Sequence, residues 1–250
     1  MIVFKKKIAE SNMKFPMIIK TNRMGYDGKG QYQIKKVEDL EKIKNELSGN
    51  IDYIIEEKID FFKEISVIIG RNKNDEVVCF DPIENIHKNG ILDISIFPSR
   101  IDGNIKKEAI LLAEKFVKEI DLRGLVAIEM FLDKEMKILF NEIAPRPHNS
   151  GHLTRETHSL SQFGVLGNIL TENIIETPKP KYSAIMKNIL GDFFTKKDYE
   201  KRLTKIAASP NHYLKMYNKD EPKIGRKMGH ITIITKDIQN SIVKINDLIN

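Results

Sequence analysis

The stretch Asn141-Glu142-Ile143-Ala144-Pro145-Arg146-Pro147-His148-Asn149-Ser150-Gly151-His152 holds a carboxylate, a guanidinium and two imidazoles beside two prolines. A chain that needed only a core would not cluster such groups. A site handling a metal, phosphates and an anionic substrate would. Upstream, Glu129 sits in the apolar run Gly124-Leu125-Val126-Ala127-Ile128-Glu129-Met130-Phe131. The polar residues Asp133 to Lys137 separate the two runs, which is a hairpin signature. If Asp133 pairs with Ile138, the register continues through Phe131 with Phe140 to Glu129 with Glu142. Both carboxylates then share one face, because side chains alternate along a strand. Directly opposed like charges destabilise a sheet, so a cation is expected between them. Mg²⁺ fits, since it is a hard ion held by one or two carboxylates plus substrate phosphates. The alternative is a slipped register with both glutamates in solvent, as a one-residue slip reverses every side chain. A zinc pair made by His148 and His152 would need a helix, which Pro145 and Pro147 oppose, and no third ligand is evident.

Near the other end, the strand-like Phe15-Pro16-Met17-Ile18-Ile19-Lys20-Thr21 leads into Asn22-Arg23-Met24-Gly25-Tyr26-Asp27-Gly28-Lys29-Gly30-Gln31. Such a glycine-rich loop can offer backbone N–H groups to an anion at close range. Lys20, Arg23 and Lys29 add positive charge. The spacing is neither that of a Walker A loop nor that of a dinucleotide fingerprint, and a plain β-turn is the competing reading. Glu64, opening the apolar run Ile65 to Ile69, is either an acceptor for ribose hydroxyls or a solvated strand end. Residues 82–92 mix polar and apolar types without a period and read as a loop. A lone His87 there is more often a structural histidine.

Two α+β elements must position these groups. Apolar spacing predicts helices over 36–48, 104–120 and 154–170, the last opened by Thr154 as N-cap. Strands are expected at 16–21, 51–59, 64–71, 76–82, 124–132 and 138–144. Thr177-Pro178-Lys179-Pro180-Lys181 cannot continue a helix and marks a boundary between segments 1–177 and 178–250. Beyond it, strands at 182–189, 211–217 and 229–235 and helices at 196–207 and 237–248 form a small mixed α+β domain.

Of 250 residues, 41% are hydrophobic and 30% charged, ordinary for a soluble globular protein. The net charge of +6 comes from scattered lysines without interleaved aromatics, which argues against a nucleic-acid surface. No apolar run reaches membrane-spanning length. The single cysteine, Cys79, excludes an internal disulfide and suits the cytosol, so a cytoplasmic location is expected. It lies in an apolar strand as an inert core residue. His158 reads as surface or packing, His212 carries no role, and His152 is a candidate to orient Glu142 or a phosphate.

Several of these stretches occur together in one known order. Lys20-Thr21, Gly25 to Gln31, Glu56-Glu57-Lys58-Ile59, Lys63-Glu64-Ile65-Ser66-Val67, Glu84-Asn85-Ile86-His87, Asn141 to His152 and Gly225-Arg226-Lys227-Met228-Gly229-His230 resemble the N5-carboxyaminoimidazole ribonucleotide synthase family. The run from Ala144 to His152 is the most specific of them. The resemblance implies an α+β ATP-grasp fold, two subdomains clasping nucleotide, followed by the small C-terminal domain. It implies an ATP-dependent carbon–nitrogen ligase of purine biosynthesis that joins bicarbonate to 5-aminoimidazole ribonucleotide, using Mg²⁺. Lys20 would contact the nucleotide phosphates, and Gly25, Tyr26, Asp27, Gly28, Lys29, Gly30 and Gln31 would fold over them. Glu56, Glu57, Lys58 and Ile59 would read adenine, Glu64 would hold the ribose and His87 would line the nucleotide site. Glu129 and Glu142 would bind Mg²⁺, with Asn141 beside them at the nucleotide. Arg146 and His148 would face the ribonucleotide and bicarbonate, with Tyr26 and Asp27 closing over the acceptor as catalytic groups. Arg226 and Lys227 would hold the ribonucleotide phosphate.

The family begins with a Rossmann-like domain of roughly one hundred residues, and Met1 aligns inside the first ATP-grasp subdomain. That domain is expected to be absent here. The chain is then expected to act as a homodimer or with a separately encoded N-terminal domain, binding ATP by itself but carboxylating poorly. The alternatives are an ATP-grasp ligase with another acceptor and a non-catalytic nucleotide-binding remnant or subunit.

Overall fold

The structure is a computed structural model that describes residues 14–23, 30–43, 46–47 and 51–249. The chain forms two compact units, residues 1–60 with 89–91, and residues 61–88 with 92–250. The changeover at Asp60/Phe61 directly follows the Glu56–Ile59 segment.

The first unit is built on a three-stranded antiparallel sheet in the order β2-β1-β3: β1 Met17–Thr21, β2 Gln31–Ile34 and β3 Tyr53–Glu57. Met17, Ile19 and Ile34 bury one sheet face against Leu40. Alternation therefore turns Ile18 and Lys20 to the other face. Of the described residues in the stretch expected to be helical over 36–48, only Asp39–Lys42 (α1) is helix. One turn leaves most of its backbone groups without intrahelical partners, and Asp39 supplies local ones by accepting from Lys35 N at 3.1 Å and Lys42 Nζ at 2.8 Å. Gly30 closes the segment after β1, with φ +74 and its carbonyl accepting from Thr21 N at 2.9 Å. A Cβ there would lie 2.7 Å from Thr21 Oγ1.

The second unit holds a nine-stranded sheet in the order β11-β12-β10-β7-β6-β4-β8-β9, with β5 also on β4. These are β4 Phe61–Arg71, β5 Val77–Cys79, β6 Ile83–Lys88, β7 Ile91–Phe97, β8 Gly124–Asp133, β9 Ile138–Ala144, β10 Ala184–Leu190, β11 His212–Met216 and β12 Lys227–Ile234. Helix α2 (Gly103–Glu119), capped by Asp102, lays Ala109, Ala113 and Val117 on Ile65, Val67, Ile69, Val126, Ile128 and Met130. Each fully buried Ile or Val here is worth roughly 1.5–3 kcal/mol relative to exposure. The same alternation sends Glu64, Ser66 and Glu129 to the opposite face, and that face carries the polar cluster described below. The C-terminal strands join this sheet through β10–β7 pairing, Ala184↔Phe97 to Lys187↔Ile94. The helices Tyr199–Ala207 and Ile238–Ile249 cover Ile185, Ile189, Ile231 and Ile233.

Three sequence expectations are corrected. Residues 82–92 are not a loop but most of β6 and the start of β7. Their polar side chains find partners inside the protein, which lets a polar strand be buried. Glu84 takes Lys63 Nζ at 2.7 Å and Arg100 Nη2 at 2.6 Å. The helix expected over 154–170 is two pieces, Thr154–Thr157 (α3) and Gln162–Leu170 (α4). Between them the chain leaves helical geometry to pair with 179–181, through Ser159 N to Lys179 O at 2.8 Å and Lys181 N to Thr157 O at 2.7 Å. Ser161, not Thr154, caps the longer piece, accepting from Gly164 N at 3.2 Å. Finally, the hairpin turn is one residue longer than expected, with Leu132 rather than Asp133 opposite Ile138.

Candidate functional site

In the first unit, Lys20 Nζ meets Glu56 Oε2 at 2.6 Å. Glu57 Oε1 accepts from Lys14 N at 3.1 Å, and Lys58 N donates to Pro16 O at 2.9 Å. Gly30 and Gln31 stand at the start of β2, while Gly25, Tyr26, Asp27, Gly28 and Lys29 lie outside the described residues.

The second unit brings Glu64, His87, Glu129, Glu142 and His148 onto one sheet face. Glu129 lies directly opposite Glu142. The longer turn alone would have set Glu142 opposite Ile128, but the register shifts between Glu129 and Met130, leaving Asn141 as an extra residue on β9. A β-bulge thus restores the carboxylate pair. Glu129 is buried and Glu142 exposed. Burial first, and the charge of Glu142 second, raise the Glu129 carboxyl from the usual range to about 7. Its Oε1 has no hydrogen-bond partner, and His148 Nε2 lies 3.6 Å away. Two opposed carboxylates with an orphaned buried oxygen fit a divalent cation held by oxygens. Among the described residues, no group of three or more His, Cys, Asp or Glu forms a closed metal cage. Mg²⁺ is held by one or two carboxylates together with substrate phosphates.

Glu64 pairs with His87 through Oε2 and Nδ1. Burial alone would lower the His87 imidazole, but the hydrogen bond and charge of Glu64 outweigh it, so His87 titrates above its ordinary value. His148 is driven the other way, down to about 3, by burial and then by Arg146 and Lys227. Arg146 is exposed, with Nη1 donating to Pro147 O at 3.0 Å, and Arg226 Nη1 donates to Glu221 O at 3.0 Å. Gly191 N donates to the Arg226 carbonyl at 2.9 Å, and a Cβ on Gly191 would lie 2.0 Å from the Lys223 carbonyl oxygen. Gly191→Ala therefore has to displace the backbone that carries Arg226 and Lys227. We expect a loss of stability of roughly 2 kcal/mol or more, read as a lowered urea midpoint.

Several members of this face were not assigned from the sequence. Asn149 and Asn188 exchange side-chain hydrogen bonds at 3.1 and 2.6 Å. His152, which the sequence did offer as a candidate to orient Glu142 or a phosphate, stacks on His230 at 4.9 Å and on Phe163 at 5.5 Å, and contacts Gln162 Nε2 at 3.2 Å through Nδ1. Tyr217 Oη meets His230 Nδ1 at 2.8 Å. Buried Ser66, Asn85, Ser95 and Ser150 form a further group. Two-residue spacing, as from Glu64 to Ser66, is the only signal that would have found them. His158 packs between Phe80 and Phe97, and Cys79 lies in β5 with its thiol pushed up by burial.

The buried imidazoles set an acid limit on the fold. Burial lowers His148 to about 3, His152 to about 4, His158 to about 4 and His230 to about 3. A depressed folded value means that the unfolded chain binds the proton first. The stability is present above the unfolded value near 6.5 and is lost as pH falls toward the folded ones. Glu129, Glu156 and His87 are raised and act oppositely, losing stability as pH rises. Four lowered histidines outweigh these three groups, so the melting temperature should fall between pH 7 and pH 5. A flat profile would contradict this assignment.

Among the described residues, no helix is long and apolar enough to cross a membrane. The chain is 39% identical over 246 residues to the N5-carboxyaminoimidazole ribonucleotide synthase of Bacillus subtilis (strain 168), covering 96% of this chain and 62% of that protein. Its fold superposes on an ADP complex of an N5-carboxyaminoimidazole ribonucleotide synthetase with a TM-score of 0.89 at 34% identity, covering 98% of this chain and 64% of the other. It also superposes on the Aspergillus clavatus N5-carboxyaminoimidazole synthase in complex with ADP and 5-aminoimidazole ribonucleotide, with a TM-score of 0.86 at 28% identity, over 99% and 65%. The chain thus spans about three fifths of the relatives' length, 62% of the Bacillus protein. The phosphoribosylaminoimidazole carboxylase C-terminal domain model matches residues 184–243, the segment of β10 to β12. The ATP-grasp domain model matches residues 5–163, which run from the Lys20 strand through the Glu129–Glu142 hairpin to the His148 segment, and the chain belongs to the ATP-grasp family.

Proposed function

We propose that this chain provides the nucleotide and acceptor machinery for ATP-dependent carboxylation of 5-aminoimidazole ribonucleotide by bicarbonate, a step of purine biosynthesis. The observation that carries the reading is the Glu129–Glu142 pair, opposed across a bulge, with the Arg146–His148 segment issuing from the same strand. The shared fold with ADP and ribonucleotide complexes supports it. In this reading residues 1–177 form the ATP-grasp domain and 178–250 the small C-terminal domain.

Glu129 and Glu142 would hold Mg²⁺, which supplies charge neutralisation on the phosphates when bound. Lys20, the 25–31 loop amides and Asn141 position the triphosphate. Glu56 to Ile59 take the adenine, Glu64 the ribose, and the Glu64–His87 ion pair keeps His87 fixed beside it. A bicarbonate oxygen attacks the γ-phosphorus, ADP leaves, and carboxyphosphate forms. The exocyclic amine of the acceptor then attacks its carboxyl carbon and phosphate departs. Catalysis here is positioning and electrostatics, without a covalent enzyme intermediate. Arg146, with Arg226 and Lys227, binds the anionic acceptor, and Tyr26 and Asp27 close over it. A second copy of the chain or another domain would complete the acceptor side. The reaction is placed in the cytoplasm.

The test is ADP formation by the purified protein with each substrate omitted in turn. The reading expects ADP formation to require bicarbonate and to rise with aminoimidazole ribonucleotide. Turnover indifferent to both would overturn it.

A further inference from the structure

His148 is the end of a buried chain of hydrogen bonds. Ser95 Oγ meets Asn85 Oδ1 at 2.9 Å, and Asn85 Nδ2 meets Ser66 Oγ at 3.0 Å. Ser66 Oγ meets Ser150 Oγ at 2.7 Å, and Ser150 Oγ meets His148 Nδ1 at 2.9 Å. The four residues come from β7, β6, β4 and the turn after β9, and Ser66, Ser95 and Ser150 are fully buried. Hydroxyl rotors and amide orientation are normally open to either assignment. Here one member has no choice. The backbone N–H of Ser150 points at His148 Nδ1, at 3.4 Å. A backbone amide only donates, so Nδ1 must be the acceptor.

That single fact orders the rest. With Nδ1 accepting, the Ser150 hydroxyl donates to it. Ser150 then accepts from Ser66, Ser66 from Asn85 Nδ2, and Asn85 Oδ1 from Ser95. The opposite amide orientation would turn the Ser66 and Ser150 hydroxyls back toward Asn85 and make Ser95 Oγ an acceptor. It would put a proton on Nδ1 facing the Ser150 N–H. We propose that Ser95, Asn85, Ser66 and Ser150 are positioning residues forming a one-way relay that holds His148 as its Nε2–H tautomer, a hydrogen-bond donor rather than a base.

The inference deepens the proposed function and rests on it for its catalytic consequence, with His148 facing the ribonucleotide and bicarbonate as the family resemblance implies. Nε2–H faces the carboxylate side, toward Glu129 Oε1 at 3.6 Å. A donor in that position orients an anionic oxygen of bicarbonate or carboxyphosphate. It does not take the proton from the attacking amine.

The test is nitrogen NMR of the whole chain labelled with ¹⁵N-histidine, with His148 assigned by loss of its signals in His148→Asn. The expected spectrum has a pyridine-type Nδ1 and a pyrrole-type Nε2 at neutral pH. Ser150→Ala should raise the Nδ1–H share and lower kcat roughly ten- to hundredfold, the range for partners that orient a site ligand. The KM for ATP should stay within about twofold, because uniform nucleotide binding is untouched. Ser150→Thr, which keeps a hydroxyl, should retain the wild-type tautomer, and Asn85→Leu should move it as Ser150→Ala does. A wild-type spectrum with Nδ1 protonated overturns the proposal. So does an unmoved tautomer in both Ser150→Ala and Asn85→Leu. If one variant fails to fold, the wild-type spectrum and the other variant still decide. The NMR readout needs no substrate, so a relay that stands in a chain without carboxylation activity condemns the functional reading alone.

Discussion

Glu129→Gln is expected to lower Mg²⁺-dependent ATP turnover by roughly a thousandfold, the scale of losing a metal-centred charge contribution. The same substitution should raise the melting temperature of the metal-free protein at pH 8. Both effects have one cause. Glu129 is buried opposite Glu142, and burial together with that neighbour raises its carboxyl to about 7. At pH 8 the metal-free fold therefore holds an unfavourable buried charge. Each unit of displacement corresponds to about 1.4 kcal/mol, so a neutral isostere should relieve on the order of 1–3 kcal/mol. That is worth a few degrees of melting temperature. Loss of function accompanied by gain of stability is the signature of a site held in a destabilised state for its ligand. Glu142→Gln should abolish turnover similarly with a smaller stability gain, because Glu142 is exposed. A Glu129→Gln protein that melts lower and turns over normally would remove the pair from the metal site. Thermal melts with and without Mg²⁺, beside a coupled ADP assay, decide it.

Arg146→Ala should act on the other substrate. Its guanidinium stands on the chain leaving β9, exposed, with Nη1 donating to the neighbouring carbonyl of Pro147 at 3.0 Å. A guanidinium fork matches phosphate or carboxylate geometry. Charge-assisted bonds contribute about 1.5–3 kcal/mol, so the KM for aminoimidazole ribonucleotide should rise by roughly ten- to a hundredfold. Nucleotide affinity should change by less than about twofold, because the hairpin carboxylates and Lys20 are untouched. Measured KM values for each substrate separate the outcomes. A selective loss of ATP binding would move Arg146 to the nucleotide subsite.

How much of this was legible in the sequence differs by element. The hairpin from Gly124 to Ala144 could be read because two apolar runs flank a short polar stretch. The opposition of Glu129 and Glu142 followed, but for an incomplete reason. Asp133 accepts from Glu135 N at 3.0 Å and Lys137 N at 2.8 Å, and with Leu132 opposite Ile138 the turn is one residue longer than the pattern suggested. The bulge at Asn141 then returns the register. Two compensating backbone choices leave no trace in composition. Strands β6 and β7 were hidden for a different reason. Their polar residues look like a loop until Lys63, Ser66 and Arg100 arrive from outside the two strands, and Ser95 from the facing one, to satisfy them. The same holds at His158, where pairing with Pro180 breaks a helix that local spacing favoured. Single groups with strong chemistry were visible, whereas the neutral serines and asparagines that orient them were not. A serine signals nothing until its neighbours in space are known.

The most direct test of the central claim follows one oxygen. If bicarbonate attacks the γ-phosphorus, the bridging oxygen of carboxyphosphate comes from bicarbonate and leaves with phosphate. The protein is incubated with ATP, Mg²⁺, aminoimidazole ribonucleotide and ¹⁸O-bicarbonate, and the released phosphate is read by the isotope shift of its ³¹P resonance. The account predicts one ¹⁸O atom in each phosphate released, whether or not the carboxyl reaches the acceptor, and no such transfer in Glu129→Gln. Phosphate that carries only the oxygen of solvent water would contradict it.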